Sequence, residues 1–308
     1  MRGKIIILLS LMVLAGVLSE HPALAHNFVQ NSNADLIAKI QEFKVETNLI
    51  ANNISNNTLA QWHVSKSQEY IGSNDIGTLA QKDPTLSNNL STAIDELYSL
   101  AGQPNADPAT ASQKASSLSQ ILDQVESEEI STADQNNATI QSLALVNVVN
   151  QALKDYGDAI GSTVDLTNMS NMNMGSSSGN MQGMSGMQSS GNMQGMSSTT
   201  IVNDGDYQSA QALTNTAQVM FNNLKSISPT SSSPYLDKID SALTSLKQAI
   251  DSKESGDDVM MIVHMQIHPN LISAFNIQSV PEFPIPVLLA IVSFIGIVAI
   301  SKIPTKIK

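Results

Sequence analysis

Asn33-Ala34-Asp35-Leu36-Ile37-Ala38-Lys39-Ile40-Gln41-Glu42-Phe43 opens a stretch that reaches Ile54 and decides how the chain is read. Leu36, Ile37, Ile40, Phe43, Ile50 and Ala51 recur at helical spacing, so the stretch predicts an amphipathic helix from Asn33 to Ile54. Glu42 and Glu46 share a face of that helix and read as a solvated flank. Outward from there the pattern repeats. Asn56-Asn57 breaks the helix, and Thr58 to Ile71 begins a second, with Leu59, Ala60, Val64 and Ile71 inward. Asp83-Pro84-Thr85 is a stop and restart before Leu86 to Ala101. Ala109 to about Glu128 is a further helix, and Ile130 to Ile160 is one long helix or two. Asp206 to Ile227, Tyr235 to Ser252 and Asp257 to about Phe275 complete the set, and no convincing run of strands appears. The expectation is an all-α chain, a helical bundle.

Composition agrees. Aromatic residues make up 4% of the chain, and Ala, Leu, Ser, Asn and Gln dominate, which suits helices packed through aliphatic side chains better than a β-sandwich. There is no cysteine, which excludes disulfides, thiolate metal sites and cysteine nucleophiles. The formal net charge of −12 argues against nucleic acid and anionic membrane surfaces as partners.

The two ends are of another kind. Met1-Arg2-Gly3-Lys4, the apolar run Ile5 to Val17 and Ala23-Leu24-Ala25 read as a signal peptide, residues 1–25, with His26 as the first mature residue. Near the other end Ile285 to Ile300 carries no charge, and from Phe283 to Ile303 the run is about 20 residues, enough to cross a core of roughly 30 Å as a helix. Lys302, Lys306 and Lys308 follow it, so this end is expected to stay in the cytoplasm. The predicted topology is a cell-membrane protein with a single C-terminal transmembrane helix, most of its chain extracytoplasmic and its C-terminus cytoplasmic. Residues 26–163 and 201–279 are then two helical regions, joined by 164–200, and 280–308 is the anchor.

Residues 164–200 are Ser, Gly, Asn, Gln and Met, a composition that cannot bury enough apolar surface to offset ordering entropy; a disordered linker or long loop is expected. Ser178-Gly179-Asn180-Met181-Gln182-Gly183-Met184-Ser185 recurs as Ser190-Gly191-Asn192-Met193-Gln194-Gly195-Met196-Ser197. On either side of the linker, Asn56-Asn57-Thr58-Leu59-Ala60-Gln61-Trp62-His63 aligns with Asp257-Asp258-Val259-Met260-Met261-Ile262-Val263-His264, a polar pair of N-cap type followed by a histidine at the same offset. That alignment reads as a duplication, with two pseudo-repeated halves.

Two resemblances follow from these residues. Pro281-Glu282-Phe283-Pro284, then an apolar span, then a basic end, resembles the PEF-type C-terminal sorting signals of archaeal surface proteins (PEF-CTERM-like). It implies an exported, surface-anchored protein. His264-Met265-Gln266-Ile267-His268-Pro269, together with His63 followed by Glu69-Tyr70, resembles parts of the helical extracytoplasmic domains found with the high-affinity iron permease family. That likeness implies a helical bundle more than an iron function, and the permease transmembrane domain is absent.

The candidate chemistry is metal binding. Met169, Met172, Met174, Met181, Met184, Met187, Met193 and Met196 all lie in the linker, several at x-x spacing. Thioether sulfur is a soft, neutral ligand that selects Cu(I), and closely spaced methionines can wrap one ion. The alternative is a low-complexity spacer. His264 and His268, four apart with Met260 one turn earlier, can give two imidazole ligands to one metal; Pro269 is expected to put His268 at a helix end or kink. Their alternative is a boundary pair facing solvent. Met261 and Met265 read as core. His63, beside Trp62, is either a boundary histidine or a ligand, and His26 as a free amino terminus would chelate Cu(II) through amine and imidazole. No nucleophile triad, phosphate loop or zinc-protease motif appears, so no enzyme is expected. Asn53, Asn56, Asn89, Asn137 and Asn168 each open an Asn-x-Ser/Thr sequon and are candidate glycan sites. Two function classes result: a surface-anchored, copper-binding glycoprotein serving a metal transporter or oxidase, and a non-catalytic structural or adhesion protein of the cell envelope.

Overall fold

The structure is a computed structural model and describes residues 26–168 and 199–281. The predicted signal peptide, the methionines Met169 to Met196 and the C-terminal apolar run lie outside the described residues. Among the described residues no helix is long and apolar enough to cross a membrane. Phe28–Ser279 forms one compact unit; of a second unit, made of the two chain ends, only residues 26–27 and 280–281 are described.

The elements, in order, are β1 (His26–Phe28), α1 (Ser32–Asn52), α2 (Asn57–Ser67), α3 (Ser73–Lys82), α4 (Pro84–Ala101), α5 (Pro108–Glu129), the single turn α6 (Thr132–Gln135), α7 (Ala138–Ala159), α8 (Asp204–Ile227), α9 (Ser233–Asp251), α10 (Gly256–Ile262), a π-helical turn (Val263–Ile267), α11 (His268–Phe275) and β2 (Ser279–Pro281). β1 and β2 pair as a short two-stranded sheet, and everything else that is regular is helical. The all-α bundle expected from periodicity is what forms.

Helix starts follow side-chain chemistry. Asn31, Asn56, Asp83, Asp107, Asn137, Asn203 and Ser255 each accept a backbone N–H of the first turn that has no partner inside the helix. Pro84 and Pro108 occupy first-turn positions where a missing N–H costs nothing. The sequence pattern does not resolve α3. Its Ser, Asn, Asp and Gly read as a turn, yet the Asp75 carboxylate accepts the Gly72 N–H at 2.9 Å and Leu79 is buried, which is enough to hold a short helix on α4. The second helix ends at Ser67 rather than Ile71.

The boundary between helical regions does not fall at the linker. One apolar cluster joins Ile40, Phe43 and Ile50 of α1 to Leu90, Leu97, Leu118 and Leu122 of α4 and α5. The other joins Ile37 of α1 to Leu145, Val149, Leu153, Phe221, Leu243 and Ile267. The helix α1 therefore faces both clusters, and α7, which precedes the methionine-rich segment, packs most extensively on α8, which follows it. The residues 26–163 and 201–279 thus share one core. With apolar clusters on two sides, α1 buries nearly its whole circumference over residues 40–51, and that creates the site described next.

Candidate functional site

Polar side chains of α1, α2, α7 and α8 meet inside the unit. Glu46 and His63 are wholly buried, and Glu46 Oε2 lies 2.7 Å from His63 Nδ1. Ser209 Oγ donates to Glu46 Oε1 at 2.7 Å. His63 Nε2 lies 3.1 Å from Gln208 Oε1, and the same oxygen accepts from Asn53 Nδ2 at 2.7 Å. Asn53 Nδ2 also donates to the Leu49 carbonyl, which fixes the amide orientations along this chain. Both imidazole nitrogens therefore face acceptors, the Glu46 carboxylate and the Gln208 amide oxygen. Next to this pair, Lys66 Nζ lies 3.0 Å from Asp155 Oδ1 and 3.4 Å from Asp206 Oδ1. Gln151 Nε2 donates to the same Asp155 oxygen at 2.7 Å.

The carboxyls outnumber the cations, and their proton affinities show it. Burial pushes Glu42 up to about 8, with Asp155 adding to the rise and Lys39, Lys154 and Lys66 opposing it. Burial pushes Asp155 up to about 7 against the pull of Lys66. Lys66 loses from burial but gains more from Asp155, Asp206 and Glu69, and is held above the usual lysine range. The ammonium stays charged, while Asp155 gives up its proton only near neutrality. Glu42 and Glu46 are thus not a solvated flank: α2 and α7 cover them, and the covering helices bring the compensating cations.

The second polar feature is the histidine pair. His264 and His268 are 3% and 1% exposed, which overturns the solvent-facing alternative. Their rings stack edge to face with centroids 5.1 Å apart, and Phe28 packs edge-on to His268 at 5.0 Å. The sequence expectation of a kink is met by the π-helical turn. The N–H of His268 bonds the Val263 carbonyl, five residues back, and the wider turn accommodates Pro269, which has no N–H and would crowd a regular helix. His264 Nε2 donates to the Leu166 carbonyl at 3.0 Å, which fixes the ring's orientation. Leu166 itself packs between Gly157 and Gly256. Thr199, the first described residue after the methionine segment, donates its N–H to Lys253 O at 2.7 Å and its hydroxyl to Glu254 O at 3.3 Å.

Among the predicted residues, Met260 is 1% exposed and part of the apolar core. Met261 and Met265, expected in the core, are 45% and 56% exposed: Val259, Met260, Val263 and Ile267 take the inward face, leaving these two opposite. His63 commits both ring nitrogens to Glu46 and Gln208, and it is not joined to His264 and His268. His26 opens β1. Asn56, Asn89, Asn137 and Asn168 are exposed, whereas the Asn53 amide is engaged with Gln208. The aligned polar pairs are not equivalent: Asn56 is the N-cap of α2, whereas Ser255 caps α10 and Asp257-Asp258 lie inside its first turn. Sequence reasoning passed over Lys66, Asp155, Asp206 and Ser209 altogether. The available signal was Asp155, a charge on the face of α7 that carries buried Ala144, Val148 and Ala152.

No protein-family model, curated protein or solved structure matches the chain.

Proposed function

We propose that the chain is a membrane-anchored, extracytoplasmic, non-catalytic protein that binds copper through its methionine-rich segment and His264/His268, as a capture or buffering protein for a metal transporter or oxidase. One observation carries this reading. The last described residues before the methionine segment lie against His264, through the Leu166 carbonyl, and Thr199, the first after it, bonds Lys253 and Glu254 just before α10. Soft thioethers and a pair of imidazoles are therefore tethered to one corner of the fold. The carbonyl on Nε2 orients the His264 ring, and ligating histidines are commonly held through one nitrogen in this way. Thioethers need no deprotonation and suit Cu(I); imidazole binds only when neutral, near or above its unperturbed pKa of about 6.5.

The test is a competition titration of the full-length protein with Cu(I) at about pH 5 and pH 7.5, repeated on a variant lacking residues 169–196 and on His264→Ala/His268→Ala. Binding tighter than roughly micromolar is expected, lost on the deletion at either pH and reduced by the histidine substitutions only at the higher pH. If the wild type binds no tighter than micromolar at either pH, the copper reading fails and a structural or adhesion role in the cell envelope takes its place.

A further inference from the structure

Asp155 and Asp158 lie one turn apart near the C-terminal end of α7, and Asp206 lies in the first turn of α8. Each offers a carboxylate oxygen, and these oxygens lie within 4.8 Å of one another. The methionine-rich segment falls between Asp158 and Asp206 in sequence. A group of acids alone would mean little, but Asp155 adds an independent sign. The side chain is wholly buried, Oδ1 is occupied by Lys66 and Gln151, and Oδ2 has no hydrogen-bond donor. A carboxylate oxygen withdrawn from water without a donor is costly unless a cation serves it. The Tyr70 hydroxyl is likewise buried without a partner, and Asp155 is the charge that acts on it most strongly. Asp158, the outermost of the three, is exposed.

We propose that Asp155, Asp158 and Asp206 form a binding site for a hard divalent cation of the calcium, manganese and magnesium class, which ties the end of α7 to the start of α8. The donor set is all oxygen, the set such ions prefer and copper(I) does not. With all three carboxyls ionised, the Lys66 ammonium leaves two negative charges at the site. Lys66 neutralises the inner oxygens of Asp155 and Asp206, and Asp158 supplies the outer ligand through which the ion enters.

The experiment uses the full-length protein, freed of metal by chelation and titrated with calcium and, separately, manganese by calorimetry. Saturable binding to a single site by at least one of the two ions is expected, with a rise in melting temperature. Asp158→Asn, at an exposed position, should weaken that affinity at least about tenfold while the far-UV circular dichroism of the metal-free protein is unchanged. Asp155→Asn should abolish binding. His264→Ala/His268→Ala should bind calcium and manganese as the wild type does, which separates this site from the copper reading. Failure of both ions to saturate the wild-type protein overturns the proposal, and so does an Asp158→Asn variant that binds as tightly as wild type.

Discussion

His63 and His264 come from stretches that align, yet they are held differently. His63 lies between Glu46 and Gln208 and has an acceptor at each nitrogen. His264 faces the Leu166 carbonyl through Nε2 and the ring of His268 edge to face. Both are buried. Burial alone therefore says nothing about the state of a helical histidine; what the neighbouring helix or loop presents decides it. A carboxylate from α1 holds one of them. A carbonyl from the loop after α7 orients the other.

The sharpest way to break the contrast is to make one substitution at both places. His63→Gln leaves the buried Glu46 carboxylate without its imidazole partner, and removing one partner of a buried charged pair costs on the order of 3–5 kcal/mol. Urea denaturation should show a loss of that size, and a loss under about 1 kcal/mol would mean that the pair is not charged. The pH dependence comes next. Glu42 holds its proton up to about 8 in the folded protein, against 4.5 for a free side chain. The folded state thus binds this proton more tightly than the unfolded state. The resulting stability is full below about pH 4.5, declines as the pH rises and is gone above about pH 8, with a limiting slope of about 1.4 kcal/mol per pH unit. Glu42→Gln should remove this part of the decline and raise the melting temperature at pH 8.5. An unchanged pH profile would show that Glu42 is ionised inside the fold.

A smaller effect tests how closely α2 and α8 approach around His63. A Cβ at Gly205 would meet the Trp62 ring at 2.5 Å. Gly205→Ala should cost about 1–3 kcal/mol, since the ring is fixed in contact with His63 and cannot simply yield. Wild-type stability in that variant would mean that the two helices pack less closely. The smallest change is expected at the other histidine. His264→Gln keeps a donor for the Leu166 carbonyl, exchanges one hydrogen bond for another and should cost about 1 kcal/mol. A loss equal to that at His63 would erase the distinction between the two.

The sequence alone determined the helices and most of their limits. The spacing of Ile37, Ile40 and Phe43, the capping oxygens of Asn56, Asp83 and Asn137, and the prolines at 84 and 108 are local signals that act within one or two turns. Local signals also foretold the distortion before Pro269. They failed at α3, where weak propensity is overcome by one buried leucine and a cap, and at Met261 and Met265, which fall on the side of the helix opposite Val259, Met260, Val263 and Ile267. What only the tertiary structure decided is which helix lies against which. Glu46, His63, Lys66, Asp155 and Asp206 come from separate elements, and no spacing along the chain connects them. Glu42 and Glu46 look like a solvated flank because a sequence displays one helix at a time, whereas burial is a property of three. The physical reason is the range of the forces: hydrogen bonding within a turn acts between near neighbours in sequence, while desolvation and charge pairing act between whatever the folded chain brings within a few ångströms.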